Sequence, residues 1–178
     1  MMLLSRCGKW VGAALAVALL LAVPARAQLL SGFEHFSRGN YCKARQLWLE
    51  DWKSDDSSAA LGLAEIYARG LCVKEDQRRA SLWYLRAAQS GSARARSELG
   101  VRYAYGKGVE QNYFKSYVWL GAAKVSASPW ERTLLDAVQQ NSAMILPRLT
   151  AVQRSRAERI LADFAGTHVL PAEFADLD

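Results

Sequence analysis

In this 178-residue sequence, two histidines, three cysteines and a pair of adjacent aspartates have the side-chain types for metal, redox or acid–base chemistry. A zinc site needs clustered His, Cys, Asp or Glu, as on a His-Glu-x-x-His helix. His35 and His168 lie near opposite ends of the chain without such company, and no metal is expected. No serine has lysine three residues on, and no Gly-x-Ser-x-Gly, P-loop or dinucleotide fingerprint occurs. Asp55-Asp56, inside "SDDSS", reads as a polar turn between helices. The residues therefore point away from an enzyme and from any cofactor.

The three cysteines divide by position. Cys7 lies in "MMLLSRCGKW", a basic start followed by the 13-residue apolar run "VGAALAVALLLAV" and by "PARA". A basic n-region, a short apolar core and Ala25-x-Ala27 describe a secretory signal peptide over residues 1–27. A membrane anchor would need roughly 20 apolar residues, so no stable insertion is expected after cleavage. The mature chain would begin near Gln28, in the periplasm or outside the cell. Removing Arg6, Lys9 and Arg26 takes the 23 basic residues to 20 against 17 acidic, so the full chain's +6 becomes +3. That is too small an excess for a nucleic-acid argument. Arg94, Arg96 and Arg102 then read as a solvated helix face. Cys42 and Cys72 remain, an even pair that suits a disulfide in an exported chain.

These residues must be held by something, and a repeat supplies it. Thirty-six residues separate Leu63 from Leu99, Tyr67 from Tyr103, Gly70 from Gly106, Asp76 from Asn112 and Trp83 from Trp119. The period is that of a helix pair. Gly70 and Gly106 permit the left-handed turn that ends a helix. Asp76 and Asn112 suit the cap of the next one. Ala64, Gly100, Ala87, Ala122 and Ala123 let helices approach closely, and the tyrosines and tryptophans fill the space between pairs. On that account Trp83 and Trp119 are core rather than carbohydrate platforms. Further start signals are Ser31 with Glu34, Ser128-Pro129 with Glu131, and Thr150 with Gln153.

The pattern Leu-Gly-x-x-Tyr-x-x-Gly-x-Gly-Val, a polar cap, Trp and then Ala-Ala resembles the Sel1-like repeat, a relative of the tetratricopeptide repeat. Residues 59–90 and 95–124 carry it closely and residues 31–58 in degenerate form. Ala64, Leu71-Cys72 and Ser116 depart from the usual residues. The resemblance implies an all-α fold, an α-solenoid of stacked antiparallel helix pairs over residues 28–166. Its capping helices would span 129–166, and a loosely docked tail would follow at 167–178. It also implies a protein-binding scaffold or adaptor that holds a protein partner on a concave helical surface. Related readings are an immunity protein neutralising a toxin such as a phospholipase effector, and a flagellar stator-associated or other envelope-complex subunit. From another class, the alternative is a small envelope hydrolase. A toxin gene, motor genes or a hydrolase pathway next door would separate them.

In tetratricopeptide-like stacks the first helices line the concave side. Glu65, Arg69, Glu98, Arg102 and Tyr105 lie on those helices outside the stacking positions, and are the expected partner-binding residues. Successive inter-helix loops should line up on one edge, bringing Cys42 and Cys72 within bonding range. The competing state is two free or buried thiols.

Overall fold

The computed structural model describes residues 25–50 and 56–177, with side chains from Ser31 onward. The expected leader lies outside them up to residue 24, as do Cys7 and Asp55. Among the described residues the chain forms eight α-helices and no strand. These are α1 (Ala25–Ser37), α2 (Tyr41–Glu50), α3 (Ser57–Arg69), α4 (Gln77–Gln89), α5 (Ala93–Tyr105), α6 (Tyr113–Ser126), α7 (Arg132–Ile145) and α8 (Ala151–Thr167). Consecutive helices pair as α1–α2, α3–α4 and α5–α6, and α4 also packs on α5. Both α7 and α8 close against α6.

The two repeat hairpins are built by the same local chemistry. Gly70 and Gly106 end α3 and α5 at φ 66°, ψ 33°. Leu71 N–H then bonds Ile66 O and Lys107 N–H bonds Arg102 O, at 2.9 and 3.0 Å. The Asp76 carboxylate accepts from Arg79 N–H at 2.8 Å, and the Asn112 amide oxygen from Lys115 N–H at 2.9 Å. Each cap satisfies a backbone donor that a helix start leaves orphaned. Close approach is enforced where glycine stands: a Cβ at Gly100 would lie 2.6 Å from Leu120 Cγ. Tyr67, Tyr103 and Trp119 are buried as expected, whereas Trp83 is only half-buried.

Three sequence readings are corrected. Helix α1 begins at Ala25 and runs through Ser31, so Ser31 is not its cap. Ser128 and Glu131 do bond reciprocally, but in a turn that precedes α7 rather than in its first turn. The tail is not loosely docked. Phe174 is 1% exposed and joins the core cluster of Tyr84, Leu85 and Trp119. Its acidic surroundings made the segment look solvated, yet Glu173 pairs with Arg156 at 2.7 Å and Ala175 O accepts from Gln89 at 3.1 Å. The Thr150–Gln153 capping box forms as read.

Candidate functional site

The expected partner-binding residues separate into two groups. Arg69 and Tyr105 hold the same slot, two residues beyond the repeat tyrosine, at the ends of α3 and α5. Both are exposed, Tyr105 by 59%. Lys107 Nζ lies 5.8 Å from the Tyr105 ring, so the aromatic presents a cation beside it. Tyr105 also borders a cleft of about 160 Å³ shared with Tyr113, Met144 and Arg148. Met144 and Arg148 were not anticipated, because α7 and the turn after it carry no repeat signature to place them beside α5.

Glu65, Glu98 and Arg102 converge instead on the seam between α3 and α5, around Tyr84 of α4. Glu65 and Glu98 are half-buried, and Glu65 is paired with Arg94 at 3.1 Å. Arg102 is the correction: it is 5% exposed and faces inward. Its Nη1 donates to the Gln77 carbonyl and side-chain oxygen, to Ser81 Oγ and to Lys107 O, at 3.0–3.3 Å. The guanidinium also lies 4.6 Å from the Tyr84 ring centre. The physical reason is register. Arg102 precedes Tyr103 by one residue, as Ile66 precedes Tyr67, and Ile66 is fully buried. The repeat itself held that signal.

Burial pushes the Tyr84 phenol up to about 12, with the nearby Glu98 carboxylate adding to it. A phenol so held stays neutral at physiological pH and is no general base. Arg96 is buried too, its charge disfavoured by desolvation. It bonds Ala88 O at 3.1 Å and Ser126 Oγ, and sits over the Phe164 ring at 4.9 Å. Of the three arginines read as a solvated face, only Arg94 is exposed.

Cys42 and Cys72 form a disulfide with Cα atoms 5.2 Å apart, joining the start of α2 to the loop after α3. Cys72 has φ 68°, matching φ 70° at Gly108 in the equivalent loop. Among the described residues no group of three or more His, Cys, Asp or Glu is placed to hold a metal ion. No helix among them is long and apolar enough to cross a membrane.

Residues 57–92 and 93–123, which span the two repeat hairpins, match the Sel1 repeat. A chitin synthase regulator of Saccharomyces cerevisiae, SKT5, is 35% identical over 81 residues. That match takes in 44% of this chain and 11% of the yeast protein. Among solved structures, the chain resembles c5321, a protective antigen present in uropathogenic Escherichia coli strains displaying an SLR fold. The TM-score is 0.70 at 26% identity, over 86% of this chain and 32% of that one. The chain thus spans about a tenth of the yeast relative and a third of the bacterial one.

Proposed function

From a chain that carries Sel1 repeats, we propose an exported periplasmic scaffold that holds a protein partner on the concave surface formed by its first helices. The observation that carries this is the recurrence of one exposed slot, Arg69 and then Tyr105, at the ends of successive first helices whose other large side chains are consumed by stacking. Tyr and Arg are the residue types that dominate binding hot spots, since each combines a wide apolar contact with directed polar groups. The half-buried Glu65, paired with the exposed Arg94, and the half-buried Glu98 flank that ridge as polar contacts. Arg102 has no part in it except to fix α5 from within.

Export rests on the leader pattern and on the Cys42–Cys72 bridge, which persists in an oxidising compartment. N-terminal sequencing of the envelope fraction should begin at or near Gln28; an intact Met1 would refute export. The sequence similarity to a regulator of an enzyme supports the adaptor reading over a hydrolase. For the surface, Arg69 and Tyr105 are replaced together by alanine. The thermal midpoint should stay within a degree or two, while capture of the envelope partner weakens at least about tenfold, or 1.4 kcal/mol. Undiminished capture by the folded double variant would remove the first-helix face from the reading.

A further inference from the structure

Between α2 and α4, on the side of the second helices, lies an open groove of about 670 Å³. Leu49, Tyr67, Leu82 and Trp83 give it an apolar wall, and Arg79 and Arg86 line it with cations. Leu82 is 50% exposed there, whereas Val118, the same slot one hairpin later, is 0% exposed. The difference has a visible cause. The second helix of the later hairpin, α6, is covered by α8 and by the C-terminal tail, and the Leu82 face of α4 has no such cover among the described residues.

The tail shows what chemistry this kind of surface accepts. From Val169 to Asp178 it carries Glu173, Asp176 and Asp178 and no basic residue. Its Phe174 ring lies 6.2 Å from Trp119 and 6.3 Å from Phe114. Beside it, Arg156 Nη2 donates to both Glu173 carboxylate oxygens, at 2.7 and 2.9 Å. An aromatic side chain wedged against a repeat tryptophan, with an acid on a neighbouring arginine, is the docking unit. The open groove offers a tryptophan and arginines one hairpin earlier, the arginines coming from α4 rather than from α8. Trp83 replaces Trp119, and Arg79, which also pairs with Asp76 at 3.4 Å, and Arg86 stand over the Tyr67 and Trp83 rings at 5.7 and 5.9 Å. Gln89 borders both places, bonding the tail and lining the groove.

We infer that the α2–α4 groove docks an acidic peptide segment of a protein partner, with an aromatic side chain set among its acids. Apolar contact with Leu82 and Trp83 supplies the anchor, and the arginines match the acids. The inference takes from the scaffold reading only that the partner is a polypeptide. It uses a different face from Arg69 and Tyr105.

The test uses a fluorescein-labelled peptide of residues 169–178 as probe and the purified, oxidised protein, read by fluorescence anisotropy. Saturable binding is expected, at least tenfold weaker when the peptide carries Phe174→Ala, and weaker again at high salt. In the protein, Leu82→Glu and Arg79→Gln should each lower affinity by at least tenfold. Both change exposed side chains, and unaltered far-UV spectra will show that the variants fold. The Arg69→Ala/Tyr105→Ala variant should bind the peptide normally, which keeps failure of this site distinct from failure of the first-helix face. No saturable binding overturns the proposal. So does undiminished binding to both groove variants, because the peptide would then sit elsewhere. Self-association in sedimentation that Leu82→Glu abolishes would give the groove to a second copy and overturn it equally.

Discussion

Ile66 and Arg102 hold the same place in successive hairpins, as do Cys72 and Gly108, and Leu82 and Val118. The backbone scarcely registers these exchanges. Both loops leave their helix through a glycine at φ 66°, and both then pass through a residue near φ 70°. What changes is how each slot is satisfied. An aliphatic side chain fills the first; in the next hairpin a guanidinium fills it, because Gln77 and Ser81 of α4 and Lys107 of its own loop supply acceptors. A buried polar group is tolerated when it is hydrogen-bonded. A repeat therefore transmits backbone geometry from copy to copy, while the neighbouring copy decides what chemistry each slot can hold.

The loop slot gives the sharpest way to break the comparison. At Gly108 a Cβ would lie 2.1 Å from Gln77 O, on a backbone already in the left-handed region. Gly108→Ala should therefore cost about 3–5 kcal/mol, read as a lowered urea midpoint. Cys72 takes the same backbone and turns its side chain to Cys42. Cys72→Gly relieves the left-handed cost of an L-residue, about 1–2 kcal/mol, but loses a crosslink worth about 3–4. A net loss of about 2 kcal/mol is expected. A variant as stable as the parent would mean that the bridge adds no more than about 1–2 kcal/mol, the cost that glycine relieves.

Copying the earlier hairpin into the later one tests the buried arginine. Arg102→Ile should cost about 2 kcal/mol despite its good fit to an apolar slot, because acceptors on Gln77 and Ser81 lose their donor. A neutral outcome would show those acceptors finding water. The smallest effect at neutral pH belongs to Tyr84→Phe, expected within about 1 kcal/mol at pH 7. Its signature lies in alkali. A phenol raised from 10 to about 12 in the folded chain holds its proton there longer than in the unfolded chain. Its stabilising contribution is thus full below pH 10 and is lost as pH rises through 12, by up to about 3 kcal/mol. Stability measured between pH 10 and 12 should fall less steeply in the Phe variant.

The repeat hairpins were legible because a 36-residue period repeats helix ends and small residues together. The disulfide was legible for a related reason: stacking aligns successive loops, and Cys42 and Cys72 lie at or near them. The exposure of the residues proposed to meet a partner was half legible. Arg69 and Tyr105 are exposed as their position relative to the tyrosines required, but Arg102 was assigned by its charge, against its register with Ile66. Met144 and Arg148 lay beyond reach, since they border the Tyr105 cleft where α7 and the turn after it close against the repeats, a contact no period encodes.

The sequence alone determined the hairpins, their caps and their glycine turns, because these depend on interactions within a few residues and on a pattern that recurs. Only the tertiary structure decided that Arg102 and Arg96 lie inside, that burial raises the Tyr84 phenol above its ordinary range, and that the acidic tail is anchored by Phe174 against Trp119. It also decided that one second-helix groove is filled while its equivalent stands open. The reason is physical. Local geometry follows from backbone chemistry, whereas the burial of a charge or an aromatic depends on which distant groups arrive to satisfy or cover it.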